Sequence, residues 1–185
     1  MLNYLRKEVI KVIEKIYFDM DGVLADFDRG VEELCGLPRP GQGKSRTQEE
    51  DDLMWERIRT VKHFYDKLEP MPGAVEMFSE IRAEYGDRVE ILTGIPKPKR
   101  GILTAGEDKT AWVRRLLGED IKVNIVYRAE KVNYCKGPMC ILIDDLPVNV
   151  KEWEAAGGTG VLQRNPEETI LKIADIKLRP TTLPT

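Results

Sequence analysis

The sequence predicts an α/β protein in which a parallel sheet lies between two layers of helices, and two observations carry this prediction. Short apolar segments alternate with amphipathic helical segments along most of the chain, which is typical of a parallel sheet covered on both faces. A helical block directly after the first apolar segment interrupts this alternation, which indicates an inserted cap. We therefore predict a Rossmann-like three-layer core formed by residues 1–29 and 70–185, with a small helical cap formed by residues 30–69.

The first half of the chain contains one predicted strand and the helices around it. Apolar residues at helical spacing predict a short amphipathic helix over residues 3–14. Residues 16–18 form a β-prone segment, and residues 26–37 return to a helical pattern. A loop rich in proline, glycine and lysine is predicted over residues 38–45, and a further helix is predicted over residues 49–67.

The second half alternates helices and strands more regularly. Its predicted helices are bounded by proline or glycine and cover residues 72–86, 109–117 and 148–156. Its predicted strands are short apolar segments at residues 89–92, 123–127, 140–143 and 160–162. A long loop rich in proline, lysine and glycine is predicted over residues 95–108.

The composition limits the kinds of partner that we expect. The chain has 185 residues, 42% of them hydrophobic and spread along its whole length, so it can form a sizeable core. Its net charge of −3 argues against a nucleic-acid polymer as partner, because proteins that bind one usually present a basic surface. A small phosphorylated ligand remains compatible with this charge, since a local positive pocket can lie in an acidic protein.

We expect a cytoplasmic protein without a membrane span. The longest apolar segments, such as residues 139–143, are far shorter than the roughly 20 residues that a spanning helix needs. Charged residues occupy the positions near the N-terminus where a signal peptide would need an apolar stretch. Three cysteines, Cys35, Cys135 and Cys140, have no CxxC spacing, so we expect reduced thiols rather than a disulfide framework or a zinc site.

Polar side chains follow several of the predicted strands. Ligands of an open α/β sheet bind outside the carboxyl ends of its strands, so we expect these side chains to share one crevice. Carboxylates packed so closely repel each other, and a hard divalent cation such as Mg²⁺ would hold them together. A cation beside a lysine attracts a phosphate, so the pattern indicates metal-assisted phosphoryl chemistry. The side chains concerned are Asp19, Asp21, Thr93, Lys131, Asp144 and Asp145.

These residues stand in four motifs that resemble, in the same order, those of the haloacid-dehalogenase superfamily of phosphatases. The motifs are residues 17–27, residues 91–94, Lys131 and residues 141–145. Within that superfamily the chain is most similar to the 5′(3′)-deoxyribonucleotidases. This further similarity depends on residues 25–27, 64–76 and 109–113, and the whole resemblance spans about residues 15–150.

The resemblance implies a catalytic role for two aspartates. Asp19 would attack phosphorus and form an aspartyl-phosphate, and an aspartate needs no base because it is ionised at neutral pH. Asp21 would act as general acid toward the leaving alcohol and then as general base for the hydrolytic water. The acid role requires a raised pKa, from burial or from the neighbouring carboxylates. Asp21 also disfavours a hydrolytic dehalogenase, which needs no acid at this position.

The resemblance also implies the phosphate and metal contacts. Thr93 and Gly94 would contact the phosphoryl group, and Lys131 would offset its charge, with Lys136 as the second choice for the third-motif lysine. Magnesium would bind Asp19, the backbone carbonyl of Asp21, and the pair Asp144 and Asp145. We favour Asp145 as the direct ligand and Asp144 as a second-shell or water-bridged one, but the sequence leaves both open.

The expected function is hydrolysis of (deoxy)nucleoside monophosphates by a Mg²⁺-dependent phosphomonoesterase. Phe27 matches a position at which an aromatic ring contacts the base, whereas Trp55, Phe64 and Tyr65 fit the interior of the cap better. The chain departs from the usual Thr-Ser of the family at Gly94, which removes one hydroxyl. Two alternatives stay open: the same chemistry on another small phosphate such as a sugar phosphate, and a scaffold that binds phosphorylated ligands without turnover. A homodimer also stays open.

Overall fold

The computed structural model describes residues 12–41 and 45–178, which form a parallel sheet with helices on both faces. The strands are β1 (Lys15–Phe18), β2 (Val89–Gly94), β3 (Val123–Val126), β4 (Cys140–Asp144) and β5 (Thr159–Leu162). All neighbouring strands are parallel, and their order in the sheet is β3-β2-β1-β4-β5. The predicted α/β class with a parallel sheet is therefore confirmed.

Six α-helices and four short 3₁₀ segments accompany the sheet in the described residues. The α-helices are α1 (Phe27–Cys35), α2 (Gln48–Thr60), α3 (Ala74–Tyr85), α4 (Ala105–Leu116), α5 (Pro147–Ala155) and α6 (Pro166–Leu178). The 3₁₀ segments are Tyr65–Lys67, Gly86–Arg88, Pro98–Arg100 and Arg128–Tyr134. No helix in the described part of the chain is long and apolar enough to cross a membrane.

Two apolar clusters show why both faces of the sheet are covered. Alternate side chains of a strand point to opposite faces, so Phe18 joins the larger cluster and Tyr17 the smaller one. The larger cluster contains residues of α3, α4 and α6, among them Trp112. In the smaller cluster, Trp153 of α5 packs on Tyr17 with ring centroids 5.7 Å apart. The strands are thus mostly apolar on both sides, with the hydrogen-bonded pair Asn124 and Glu90 as a buried polar exception, which explains their short and largely apolar sequences.

The segment between α1 and α3 differs from its prediction at the end of helix α2, which is shorter than expected. The expected helix over residues 49–67 ends at Thr60, and the chain then turns through His63, which has a positive φ of 54°. This turn brings Phe64 and Tyr65 into the core, where each is only 1% exposed. The burial of two large aromatic rings therefore outweighs helix continuation. The division into a core of residues 1–29 and 70–185 and a cap of residues 30–69 stays a prediction.

Two further predicted segments, the loop 95–108 and the helix 3–14, and the unpredicted helix α6 are compared with the structure here. The loop expected over residues 95–108 is wrong at its end, because α4 begins at Ala105 rather than near residue 109. Helix α6 was not predicted, although Pro166 and the acidic residues after it form a usual helix start. The amphipathic helix predicted over residues 3–14 lies outside the described residues up to residue 11, and residues 12–14 are not helical.

Candidate active site

The loop after β1 places the first two aspartates at the centre of the sheet. Strand β1 lies between β2 and β4, where successive connections run to opposite sides, and ligands of such sheets bind at this point. The backbone N–H of Asp19 donates to the carbonyl of Ile143 at 2.9 Å, which ties the loop to β4. Gly22 has a φ of +76°, and a Cβ there would overlap the carboxylate of Asp145. A glycine at this position therefore allows the two strand ends to approach each other.

Lys131 joins two of the carboxylates. It comes from the 3₁₀ segment Arg128–Tyr134 after β3 and is 3% exposed. Its Nζ lies 2.9 Å from Asp19 Oδ1 and 2.7 Å from Asp144 Oδ2. Burial by itself would lower the pKa of Lys131, but the two carboxylates outweigh burial and raise it, so this lysine remains charged. Lys136, the second choice for this role, is exposed and donates instead to the carbonyl of Asn133 at 2.8 Å.

Asp144 is saturated by protein donors. Besides Lys131, its carboxylate accepts a hydrogen bond from the backbone N–H of Leu146 at 2.9 Å. The side-chain amide of Asn149 lies 2.9 Å from each of its two oxygens. Asn149 in turn accepts a hydrogen bond from Arg128 at 2.9 Å, which fixes the orientation of its amide. The carboxylate of Asp144 is therefore held in place by the protein itself.

The carboxylate of Asp145, unlike that of Asp144, has a charge that the protein compensates poorly. Burial, followed by the charges of Asp19, Asp144 and Asp21, raises its pKa from 3.8 to about 7. Carboxylate oxygens of Asp19, Asp144 and Asp145 all lie within 4.8 Å of one another. Asp19 Oδ1 is buried and, despite the nearby ammonium of Lys131, accepts no well-directed hydrogen bond from the described residues. Repelling oxygens with free lone pairs are the donor set that a divalent cation neutralises, so the residues fit Mg²⁺.

Asp21 is held by a lysine that the sequence did not assign to the site. Lys109 of α4 is fully buried, and its Nζ donates to Asp21 Oδ2 at 2.7 Å, Thr93 Oγ1 at 2.9 Å and the carbonyl of Gly94 at 2.8 Å. Burial raises the pKa of Asp21, Lys109 opposes this increase in part, and Asp19 adds to it. Thr93 is completely buried beneath this lysine, so its predicted contact with phosphate stays a prediction.

The aspartates open into a pocket of about 750 Å³ between the sheet and the segment that contains α1 and α2. Phe27 lines this pocket and contacts three other aromatic rings, with centroid distances of 5.7 to 6.2 Å. Phe64 is buried behind it, whereas the buried Tyr65 and the half-buried Trp55, both expected in the interior of the cap, also line the pocket. Gly94 also lines the wall, and a Cβ there would meet only the backbone and Cβ of Arg128 at ordinary contact distances. The pocket thus has a charged floor and a partly aromatic wall.

Lys109, Asn149 and Arg128 are the site residues that sequence reasoning missed. Lys109 lies in the segment 109–113 that carried part of the resemblance, but it was placed at the start of a helix, where lysines are usually solvated. Because α4 begins four residues earlier, Lys109 lies one turn inside it and faces the sheet. Asn149 and Arg128 gave no signal, since each acts through a contact between segments distant in sequence.

The fold is shared with known hydrolases. A haloacid-dehalogenase-superfamily hydrolase from Ehrlichia chaffeensis matches 91% of this chain and 99% of its own with a TM-score of 0.56 at 11% identity. A haloacid-dehalogenase-like hydrolase from Streptococcus pneumoniae matches 80% of this chain and 83% of its own with a TM-score of 0.54 at 14% identity. The sheet order and the acidic strand ends thus define a protein with the haloacid-dehalogenase fold.

A more specific assignment comes from the sequence comparison. The chain belongs to the family described as 5′ nucleotidase, deoxy (pyrimidine), cytosolic type C protein, whose model matches residues 42–173. The matched range contains Thr93, Lys131 and the pair Asp144–Asp145, and it begins after Asp19 and Asp21. The predicted relationship to the deoxyribonucleotidases within the haloacid-dehalogenase superfamily is therefore confirmed.

Two mammalian relatives carry the same kind of name. The human mitochondrial 5′(3′)-deoxyribonucleotidase is 31% identical over 157 residues, which cover 72% of this chain and 62% of the relative. The mouse mitochondrial 5′(3′)-deoxyribonucleotidase is 29% identical over 157 residues, which cover 72% of this chain and 64% of the relative. The matched region thus spans somewhat less than two thirds of the length of these relatives.

Proposed function

We propose that this protein is a Mg²⁺-dependent phosphomonoesterase that hydrolyses (deoxy)nucleoside monophosphates through an aspartyl-phosphate. The observation that carries the proposal is the position of Asp19 at the floor of an open pocket, between Lys131 and a second carboxylate, Asp21, whose pKa is raised. A carboxylate nucleophile and a protonatable acid two residues apart meet the two requirements of phosphate ester cleavage. Membership of the nucleotidase family supports the same reaction.

The roles of the residues follow from their contacts. Asp19 attacks phosphorus while Asp21 gives a proton to the leaving oxygen, and Asp21 then takes a proton from the water that hydrolyses the aspartyl-phosphate. Lys131 offsets negative charge on Asp19 and on the phosphoryl group as they approach each other. Gly94 offers its backbone at the pocket wall beside the phosphate position, next to the predicted contact Thr93.

Asp19, Asp145 and the backbone carbonyl of Asp21 are the groups that we propose to hold the cation. Asp145 suits direct ligation because its charge is poorly compensated by the protein, as its raised pKa of about 7 indicates. Asp144 suits an indirect role, in which it contacts a ligand of the cation or a bridging water, since Lys131, Asn149 and Leu146 already donate to its oxygens. When bound, Mg²⁺ supplies positive charge that draws the phosphoryl group toward the nucleophile.

The pocket favours a nucleotide over a plain sugar phosphate. Its volume of about 750 Å³ leaves room for a base beside the sugar, and Phe27 offers a ring in its wall. Stacking of a base on an aromatic side chain contributes about 1–3 kcal/mol. A scaffold without turnover is the weaker alternative, because a retired site would have no need of three carboxylates whose oxygens lie within 4.8 Å. The names of the human and mouse relatives support a deoxyribonucleotide.

Phosphate release from a panel of substrates tests this proposal. The panel contains deoxynucleoside and nucleoside monophosphates, sugar phosphates and 4-nitrophenyl phosphate, each with Mg²⁺. We expect the highest kcat/KM for deoxynucleoside monophosphates. A higher kcat/KM for sugar phosphates would show that the substrate is a sugar phosphate and would leave the proposed mechanism unchanged. A folded protein that releases no phosphate from any substrate of the panel would favour a scaffold that binds phosphorylated ligands without turnover.

Replacing Phe27 by Ala is expected to lower kcat/KM for nucleotides by about 5- to 100-fold, since the base loses its stacking partner. The value for 4-nitrophenyl phosphate, which carries no base or sugar, is expected to change much less. Both are measured as initial rates of phosphate release from the same folded preparation. Equal losses on the two substrates would remove Phe27 from base recognition and assign it to packing against Phe64 and Tyr65.

We also propose the cytoplasm as the compartment of this protein. All three cysteines, Cys35, Cys135 and Cys140, are free thiols, which is the usual state of cysteines in a reducing compartment. The human and mouse relatives are mitochondrial by name, so fractionation of the native cells is the direct measurement.

A further inference from the structure

We infer that Lys109 is a positioning residue that holds Asp21 in the orientation required for proton transfer; this inference rests on the proposed function. Lys109 does not line the pocket and is completely buried, so it is not placed to bind the substrate itself. Its effect on the reaction would pass through Asp21, whose carboxyl group it contacts at 2.7 Å. No other hydrogen bond reaches the carboxyl of Asp21 from the described residues.

The ammonium group is itself anchored at the end of β2. A lysine ammonium has three N–H donors, and those of Lys109 go to Thr93 Oγ1 at 2.9 Å, to the carbonyl of Gly94 at 2.8 Å and to Asp21. The first two acceptors belong to a central strand of the sheet and define where the nitrogen lies. The third bond then transmits this position to the carboxyl of Asp21. The Tyr65 ring, 4.7 Å from the nitrogen, closes the remaining side.

The helix that carries Lys109 is fixed on two sides. Trp112, one turn further along α4, is fully buried and donates from its indole N–H to the carbonyl of Leu68 at 2.7 Å. Gly106 packs so closely on β3 that a Cβ there would come within 3.3 Å of Ile125. Between these contacts Lys109 has little freedom to move. The long, otherwise flexible side chain therefore acts as a rigid connection between α4, β2 and the acid.

A comparison with Asp19 shows why the carboxyl of Asp21 needs the contact with Lys109 to fix its orientation. Asp19 lies against Lys131 and beside the other carboxylates, where the proposed cation would also hold it. The side chain of Asp21 retains 29% exposure to the pocket, and its Oδ1 has no partner among the described residues. Without Lys109 this carboxyl would be free to rotate about its side-chain torsions. A general acid that is out of line with the leaving oxygen loses most of its contribution, which is typically 10²- to 10⁴-fold.

Leaving-group dependence tests the inference, because a merely structural role would not produce it. The 4-nitrophenolate ion departs without a proton, whereas the alkoxide of a deoxynucleoside needs one. We measure kcat/KM, which reports the steps up to departure of the leaving group. In Lys109→Met, we expect a loss of about 100-fold on a deoxynucleoside 5′-monophosphate and of less than about 10-fold on 4-nitrophenyl phosphate.

Three comparisons control this experiment. Lys151→Met removes an exposed lysine of α5 and is expected to leave both values unchanged. The Asp21→Asn variant should show the same leaving-group difference, and the double variant with Lys109→Met should not enlarge it. Thr93→Val removes one of the two anchors and should show the same difference in weaker form, in addition to an equal loss on both substrates from the predicted phosphate contact of Thr93. Circular dichroism and thermal unfolding show whether each variant is folded.

The outcomes separate the inference from the function on which it rests. Absence of phosphate release by the unsubstituted protein would overturn the proposed function. Normal activity of that protein, with equal losses on the two substrates in Lys109→Met, would overturn only the role of Lys109. If Lys109→Met does not fold, Lys109→Gln repeats the test, and failure of both to fold would make Lys109 a structural residue.

Discussion

Asp19→Asn is expected to lower kcat by at least about 10⁴-fold on every substrate, including 4-nitrophenyl phosphate, because a neutral amide is a far weaker nucleophile than a carboxylate. The loss should not depend on the leaving group, which distinguishes this variant from those that affect Asp21. The substitution preserves the shape of the side chain, so the hydrogen bond from the Asp19 backbone to Ile143 should persist. Initial rates of phosphate release, measured at saturating substrate with Mg²⁺, give the effect directly.

The fold of this variant should survive. The neutral amide introduced by Asp19→Asn would no longer repel Asp144 and Asp145, and Lys131 would keep its partner Asp144 at 2.7 Å. Asp87→Asn is a matched control, since Asp87 is fully exposed and lies outside the pocket, and its activity should equal that of the unsubstituted protein. A folded Asp19→Asn variant with near-normal rates would contradict the nucleophile assignment and the aspartyl-phosphate with it.

Removal of the metal with EDTA is expected to abolish phosphate release, and Asp145→Asn should lower it by at least about 100-fold even with excess Mg²⁺. The reason is that the protein compensates the charge of Asp145 poorly, so this carboxylate would be a main ligand of the proposed cation. Restored activity when Mg²⁺ is added back to the EDTA-treated protein would show that the loss is reversible. Asp87→Asn again serves as the matched control.

The same site predicts how stability depends on pH. The pKa of Asp145 is raised from 3.8 to about 7 when no metal is bound, so the folded protein keeps a proton that the unfolded chain loses near pH 4. The free energy of unfolding of the metal-free protein should therefore include a contribution that is fully present below pH 4 and lost as the pH rises to about 7. Mg²⁺ bound at the proposed site would replace this proton, so it should raise Tm more at pH 8 than at pH 5.

Thermal unfolding of the unsubstituted protein and of Asp145→Asn, at both pH values and with or without Mg²⁺, measures these effects. The variant should lose the Mg²⁺-dependent increase in Tm and should be the more stable of the two metal-free proteins at pH 8. An Asp145→Asn variant that kept the full increase would contradict direct ligation by Asp145. Asp144 would then be the carboxylate to examine next.

Much of the fold was predictable because its signals are local. Each strand is a short and largely apolar segment, since both of its faces are covered. Polar side chains stand at or next to the strand ends that form the site: Asp19 follows β1, Thr93 is the penultimate residue of β2, and Asp144 ends β4. These signals need no knowledge of the neighbouring segments. The errors occurred where a distant contact decides the outcome: the helix expected to reach residue 67 ends at Thr60 because Phe64 and Tyr65 enter the core, and α4 begins early at Ala105.

The candidate site likewise has features that are local in the sequence and features that depend on contacts between distant segments. Asp19, Asp21, Lys131, Asp144 and Asp145 could be named from the sequence because they stand in motifs at strand ends, where the topology of a parallel sheet brings them together. The sequence favours Asp145 over Asp144 as the direct metal ligand but leaves both open, because it does not show the contacts of either side chain. That Asp144 is saturated by protein donors while Asp145 is not depends on the position of Asn149, which lies in the following helix.

The sequence by itself therefore determined the class of fold, the family and the charged groups at the floor of the pocket, because apolar patterning and strand-end motifs are properties of short segments. Only the tertiary structure decided which lysine contacts Asp21 and which of the two aspartates after Ile143 has a charge that the protein compensates poorly. Lys109 looks like a solvated helix residue in the sequence, and it becomes a buried contact of the acid because α4 packs against β2 and β3. Hydrogen bonds between segments far apart in the chain have no local pattern, so they become visible only once the chain is folded.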